Sequence, residues 1–263
     1  MDYLKKLHQE LIGIMKFIDA VCEDNGITYY LTAGTLLGAV RHKGFIPWDD
    51  DLDIVMPRED YEKFIGIMQT GAYEGYSILT IGDDAYPNYF AKVQKEGTVY
   101  MEGDDSNWGI FVDIFPLDEA KQKNSLLKIQ KELFNFSVFS RRRVIANNRS
   151  NLLLYGLSKA LPVGTWAKIA DRIAKAQDNR GYDLYVNFGS QYSVYKQTMP
   201  KEWFGRGTYI VFENEKFRAP ESYDRILTSI YGRNYMELPP EEKRVTHHPD
   251  RVVFSDGEEF IGK

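Results

Sequence analysis

The stretch Pro47-Trp48-Asp49-Asp50-Asp51-Leu52-Asp53-Ile54-Val55-Met56 sets four carboxylates in five residues against an apolar run. Aspartate is a poor strand former, and adjacent carboxylates repel one another. Yet Leu52, Ile54 and Met56 alternate as the buried face of a strand does, which puts Asp51, Asp53 and Val55 together on the other face. Side chains two apart on a strand lie roughly 6.6 Å apart along it, so both carboxylates can reach one or two cations between them. A divalent ion would supply the missing counter-charge, and hard carboxylate oxygens suit Mg²⁺ or Mn²⁺. A solvated acidic turn is the plainer reading of an acidic cluster, and the Asp-Leu-Asp-Ile phase argues against it. An EF-hand loop fails, because its sixth position needs Gly and this chain has Ile54 there.

Upstream, Ile27-Thr28-Tyr29-Tyr30-Leu31-Thr32 reads as a strand, followed by Ala33-Gly34-Thr35 and a short helix from Leu36 to about His42. A Gly-Thr turn opening a helix offers backbone N–H groups and a hydroxyl to a phosphate, with the helix dipole behind them. No Gly-Lys-Ser/Thr follows, so this is not a Walker loop. Downstream, Ile110-Phe111-Val112-Asp113-Ile114-Phe115-Pro116 places one Asp inside an apolar strand. Burying an unpaired carboxylate is costly, so Asp113 needs a cation or a hydrogen-bond partner. A structural Asp capping a neighbouring loop is the alternative.

A Gly-Thr turn, an Asp-x-Asp strand and a third carboxylate on a neighbouring strand is the arrangement of the nucleotidyltransferase fold. The run Leu31-Thr32-Ala33-Gly34-Thr35-Leu36-Leu37-Gly38-Ala39-Val40-Arg41-His42-Lys43-Gly44-Phe45-Ile46-Pro47-Trp48-Asp49-Asp50-Asp51-Leu52-Asp53 closely resembles the signature of the LicD family. Val112-Asp113-Ile114-Phe115-Pro116 resembles its second motif, and the tail from Tyr231-Gly232 through Leu238-Pro239-Pro240 to Arg244 and His247-His248 its C-terminal signature. The family includes bacterial phosphocholine transferases, and animal fukutin-type ribitol-phosphate transferases are distantly similar.

The resemblance implies a nucleotidyltransferase-like mixed sheet flanked by helices, forming one catalytic domain over residues 1–263, and helices mixed with antiparallel-looking strands suggest an α+β fold. Residues 120–180, which match no motif of the family, read as a basic helical insertion or subdomain within it. The resemblance also implies transfer of a phosphate-linked head group, phosphocholine foremost, from a CDP-activated donor such as CDP-choline to a sugar hydroxyl of a cell-surface glycan precursor, releasing CMP. Teichoic acid and lipopolysaccharide are the acceptor types this suggests. Asp51 and Asp53 would ligate Mg²⁺ or Mn²⁺, and Asp113 would complete the set and help the attacking hydroxyl lose its proton. Gly34, Thr35, Arg41 and Lys43 would hold the donor diphosphate, although two basic residues near a helix C-terminus also simply complement its dipole. Trp48 is placed to stack on a base or sugar or to pack, and Asp49 and Asp50 to orient the metal ligands. In the tail, Arg244 could reach a phosphate, and His247 or His248 could assist proton transfer or sit idle on the surface. Glu213 and Glu215 read as a hairpin turn rather than a second metal site.

The 263 residues, 43% hydrophobic, can build a substantial core, and a single cysteine, Cys22, excludes an internal disulfide. No signal segment and no apolar run of roughly 20 residues appears, so a cytoplasmic protein is expected, with room for peripheral contact at the inner membrane face. The coarse pass gives a helix at 3–24, the Asp strand at 51–56, a helix at 59–69, and strands near 76–81, 88–95, 98–101 and 109–115. Residues 120–180 read as helices broken near Asn147-Asn148 and Pro162-Val163-Gly164. Strands near 183–188 and 209–218, a helix at 221–231 and a Pro-rich tail follow. Between Lys121 and Arg180 stand thirteen Lys or Arg against three acids, a net +10, so the remainder carries −15 of the formal −5. This charge, centred on Arg141-Arg142-Arg143, points to an anionic acceptor, a phosphate-rich glycan or a lipid-linked one at a membrane, and away from nucleic acid, for which no binding module is present. A solvated helical face over a core-packed one is the alternative.

Two further functions stay open beside the CDP-dependent transferase. A nucleotidyltransferase would share the aspartates but attack the α-phosphate of an NTP and expel pyrophosphate. A non-catalytic cation-binding or scaffold protein would leave the three carboxylates without a purpose. Choline, glycerol and ribitol are not distinguished as head groups.

Overall fold

Helix α1 (Tyr3–Asn25) forms where apolar residues recur at helical spacing, and it buries Leu7, Leu11, Ile14, Ile18 and Val21 along one stripe. The computed structural model describes residues 3–83, 85–103, 107–244 and 249–262. These divide into two units, one of residues 1–78, 92–114 and 203–263, the other of 79–91 and 115–202. The helical segment therefore belongs to a unit with wider bounds than 120–180.

In the first unit α1 leads into β1 (Tyr30–Leu31), α2 (Ala33–Arg41), β2 (Asp53–Pro57), α3 (Arg58–Met68), β3 (Tyr76–Leu79), β4 (Ala91–Lys95), β5 (Val99–Met101), β6 (Asn107–Trp108) and β7 (Phe111–Ala120). The fold is α+β, with a mixed sheet ordered β1-β2-β7-β4-β3. Its register places Tyr30 opposite Val55 and Leu31 opposite Ile54. On the other side, the Asp113 N–H donates to the Leu52 carbonyl at 2.9 Å. These pairings bring the two acidic segments to neighbouring strands. Leu52, Ile54 and Met56 are fully buried, as their alternation predicts. Strand β2 starts at Asp53 rather than at 51, because β1 is only two residues long and its ladder ends at Leu31. Asp51 thus lies in the extended lead-in to the strand.

The second unit takes residues 79–91 and then the C-terminal end of β7, and continues through α4 (Ser125–Ile145), α5 (Leu152–Ser158), α6 (Val163–Ala174), β8 (Leu184–Val186) and β9 (Thr198–Pro200). The Asn124 and Asn151 side chains cap α4 and α5 by accepting from the amides of Leu127 and Leu154, each at 3.1 Å. Its core gathers Tyr89, Leu127, Phe134, Ala170, Val186 and Phe188. Strand β8 pairs antiparallel with β7, Asp118 opposite Val186, and with β9, Tyr185 opposite Met199.

The arginine cluster on α4 departs from expectation. Arg141 is 1% exposed, and its guanidinium donates to the carbonyls of Tyr86 at 3.0 Å, Val163 at 3.2 Å and Asp83 at 2.5 Å. Arg143 is also buried and donates to the Asn148 carbonyl at 3.1 Å. Arg142 stays exposed and reaches Asn88 Oδ1 at 2.7 Å. An acceptor-docking patch built on these three is therefore corrected. Two of them satisfy loop carbonyls inside the unit, since a buried guanidinium must use its fixed fork of donors.

The chain returns to the first unit as β10 (Thr208–Phe212), β11 (Glu215–Ala219), α7 (Tyr223–Tyr231), β12 (Arg251–Val253) and β13 (Glu259–Ile261). Strands β10 and β11 form the expected hairpin, with Glu213 in its turn at φ +54°. The tail strands were not expected. Strand β12 pairs with β5, Val252 opposite Tyr100, in a sheet ordered β13-β12-β5-β6.

Candidate active site

The site is built where α2 begins, where β2 begins and where β7 crosses beside β2. Ala33 opens α2 in the left-handed region at φ +46°, an unfavourable conformation for a residue with a Cβ and one that clusters at functional turns. Gly34 follows, and a Cβ there would stand 2.8 Å from Asp49 Oδ2. The missing side chain is what lets that carboxylate lie against the first turn of the helix. Thr35 is buried, and its Oγ1 accepts the Asp53 N–H at 2.8 Å. The Gly-Thr turn therefore holds the start of the Asp strand, whatever it does for a phosphate.

The acidic run is pinned residue by residue. The His8 ring stacks on Phe45 at 3.8 Å, and its Nε2 donates to the Asp49 carbonyl at 2.7 Å. Asp50 is buried and accepts from the Tyr100 hydroxyl at 3.0 Å. Burial and the Asp50 carboxylate push the Tyr100 phenol far above its ordinary range, so it remains a donor. For Asp53, burial and then the Asp51, Asp113 and Asp49 carboxylates hold the carboxyl well above the usual carboxylate range, against the pull of Lys92. Burial is the larger cause, and the three neighbouring carboxylates add to it.

Asp113 has the partner that its burial demanded. Lys92 Nζ lies 2.6 Å from Asp113 Oδ1, with both side chains nearly withdrawn from solvent, and 3.3 Å from the centroid of the Phe111 ring. Sequence reasoning passed over Lys92, although a lysine between Ala91 and Val93 carries the same signal as an aspartate inside an apolar strand. It also passed over His8 and Tyr100, and it read Glu213 only as part of a hairpin turn. The Glu213 carboxylate accepts the Phe45 N–H at 3.1 Å, and its own N–H donates to the Lys43 carbonyl at 2.7 Å. The hairpin turn thus clamps the loop between α2 and the acidic run.

The expected phosphate-binding cations divide. Arg41 Nη1 donates to the carbonyls of Tyr235 at 3.1 Å and Glu237 at 3.2 Å, and its Nε donates to His42 Nε2 at 2.9 Å. Lys43, at φ +63°, is exposed and reaches the Val40 carbonyl at 3.3 Å. Trp48 and Arg244 come together, the guanidinium 5.1 Å from the indole. His247 and His248 lie outside the described residues.

Among the described residues, no three His, Cys, Asp or Glu side chains already surround a common point at metal-ligand spacing. The donor chemistry still suits Mg²⁺, which is held by one or two carboxylates together with substrate phosphates and its own waters rather than by a complete protein cage.

Residues 26–142 match the family model LicD/FKTN/FKRP, nucleotidyltransferase domain. Over 263 aligned positions, covering 93% of this chain and 97% of the relative, the sequence is 34% identical to the lipopolysaccharide cholinephosphotransferase LicD of Haemophilus influenzae. The chain belongs to the LicD family. Membership makes it a phosphotransferase, and the acidic run, Lys92 and Asp113 all lie within the residues matched by the family model. Over a shorter span of 45 positions, 17% of this chain and 9% of the relative, it is 44% identical to the human ribitol 5-phosphate transferase FKRP. Similarity to FKRP gives the expected distant fukutin-like relation.

Proposed function

We propose that this LicD-family chain transfers phosphocholine from a CDP-activated donor to a hydroxyl of lipopolysaccharide or a related surface glycan, releasing CMP. The observation that carries this reading is the near end-to-end likeness to the H. influenzae lipopolysaccharide cholinephosphotransferase, which spans the acidic run, Lys92 and Asp113.

In this reading Asp51 and Asp53 hold Mg²⁺ or Mn²⁺, which when bound offsets the charge of the donor diphosphate. Everything else falls to the chain's own side chains. Gly34 and Thr35 present the first turn of α2 to the diphosphate, and Lys43 offers it a mobile cation. Trp48 and Arg244 flank the nucleotide. Asp113, oriented by Lys92, accepts the proton of the sugar hydroxyl as its oxygen bonds to the phosphocholine phosphorus and the bond from phosphorus to CMP breaks. Tyr100 and His8 keep Asp50 and Asp49 in place, so that the acidic run does not relax away from its own repulsion. The enzyme works in the cytoplasm, where CDP donors are made, on an acceptor presented at an anionic membrane face.

The test is CMP release from CDP-choline by the purified chain with Mg²⁺ and a lipopolysaccharide or oligosaccharide acceptor, with choline phosphate traced into the product. CMP release that depends on metal and acceptor is expected. Pyrophosphate released from an NTP in its place, or no turnover with CDP-choline while CDP-ribitol or CDP-glycerol is consumed, would replace the reading.

A further inference from the structure

Helix α4 carries apolar residues on two faces. One is buried, with Leu127 and Phe134 in the core of the second unit. The other, with Leu126, Ile129, Leu133 and Phe136 spaced by three or four residues, is 69%, 55%, 54% and 42% exposed. With Ile169 and Ile173 of α6, the first three line an open groove of about 490 Å³. The apolar surface continues beyond it. The Phe136 ring meets Trp166 edge-on at 5.7 Å, the Trp166 indole N–H donates to the Ser158 carbonyl at 2.8 Å, and Leu157 beside Ser158 is 48% exposed. On the same short helix α5, Leu152 and Leu153 are 76% and 75% exposed. Scattered exposed leucines are ordinary, but a run of them along one groove marks a binding surface.

Charge identifies the occupant. The segment that carries this surface has a net charge of +10. With Arg141 and Arg143 buried, Lys121, Lys123, Lys128, Lys168 and Arg172 are among the cations left exposed, and Arg172 lines the groove itself. A second copy of this chain meeting it by the same face would oppose +10 with +10. An anionic leaflet answers both features at once, with acyl chains for the leucines and headgroups for the cations. No helix among the described residues is long and apolar enough to cross a membrane, so the contact is peripheral.

We propose that the α4–α6 groove and the α5 leucines form a membrane-docking surface that sinks into the headgroup boundary of an anionic leaflet. It deepens the membrane contact inferred above and rests on it for the place of the acceptor, while its test needs neither donor nor acceptor.

The full chain is sedimented with vesicles of phosphatidylethanolamine and phosphatidylglycerol, and with phosphatidylcholine alone. Binding to the anionic vesicles only is expected. Leu126→Ser/Ile129→Ser/Leu133→Ser, checked for unchanged circular dichroism, should weaken it roughly tenfold or more through lost apolar burial. Lys121→Gln/Lys128→Gln/Arg172→Gln should remove the salt-sensitive part of binding without touching the apolar residues. Asp51→Asn should bind as the parent does, which separates docking from transfer. A parent that stays in the supernatant, or serine variants that bind undiminished, overturns the proposal. So does light scattering that shows a dimer dissociated by the serine variant, since the groove would then belong to a second copy.

Discussion

Lys92 Nζ stands 2.6 Å from Asp113 Oδ1 in the buried wall of the acidic site, between strands β4 and β7. This pair tests how the chain tolerates a carboxylate in its core. Removing one partner of a buried pair strands the other charge, at a cost of about 3–5 kcal/mol, whereas replacing both with apolar residues of similar volume is often neutral. Lys92→Met should lower the unfolding free energy by that amount, read from a urea titration, and Lys92→Met/Asp113→Leu should recover most of it while remaining inactive. If Lys92→Met unfolds like the parent, the pair contributes nothing to the fold.

Asp51→Asn and Asp53→Asn should abolish turnover at saturating Mg²⁺ and leave the metal-free fold intact or stabilised, because each removes a charge from a repelling group. The sign follows from Asp53. Its folded pKa is raised above its unfolded one, so its contribution to stability is present at low pH and fades as pH rises through the folded value. At neutral pH the Asp53→Asn melting point should rise, by about 2–4 °C for each kcal/mol of repulsion relieved. A normal turnover rate in either variant removes these residues from the metal site.

Two glycines on α2 should respond differently to the same methyl group. At Gly34 the added Cβ meets the end of the Asp49 side chain, 2.8 Å away, which can rotate aside. At Gly38 it meets the Gly44 carbonyl at 2.5 Å, with the Ile46 N at 3.2 Å, and backbone cannot rotate aside. Gly34→Ala should keep its melting temperature and lose kcat/KM. Gly38→Ala should lose about 1–3 kcal/mol of stability, as overpacked sites do. Equal stability losses would show that Asp49 is as rigid as the backbone.

Much of this site was legible because burial leaves a pattern in the sequence. The Leu52-Ile54-Met56 alternation, and Asp113 inside an apolar strand, each tie a charge to a buried neighbour along the chain. Lys92 and Tyr100 partner residues far away in sequence, and nothing local to either one names its partner. The tail strands were hidden for a related reason. Strand β12 is three residues long, and its pairing with β5 comes from a segment some 150 positions earlier in the chain. Arg141-Arg142-Arg143 misled because charge in a sequence does not say where helical phase will point it.

Arg141→Met should accordingly act on stability. Its guanidinium serves the carbonyls of Asp83 and Tyr86 in one loop and of Val163, the first residue of α6, and their loss inside the protein should cost about 3 kcal/mol or more, read as a lowered denaturation midpoint. A change in acceptor KM without a change in stability would restore the docking role to this residue.

His42 gives a pH signature. Burial and the adjacent Arg41 cation lower its pKa from the ordinary 6.5, and it accepts a hydrogen bond from Arg41 Nε, which requires a neutral ring nitrogen. The sign is that of a depressed group: its contribution is full above the unfolded value of 6.5 and is lost as pH falls through the lower folded value. Imidazole NMR should show His42 titrating below 6.5, and Arg41→Gln should move it upward. A titration at the free-histidine value would mean that the Arg41 guanidinium does not hold the His42 ring.

The pairing of Val252 with Tyr100 also sets an order of assembly. Tyr100 holds Asp50, so the acidic run is fully braced only after residues 251–253 have been made and docked. Helices α4, α5 and α6, all translated earlier, can collect their own core on the nascent chain. The carboxylates that leave the ribosome among the first residues are therefore among the last to be set, and long-range pairing of this kind is slow to form. A ribosome-bound chain would carry its helical unit folded and its chemistry still silent.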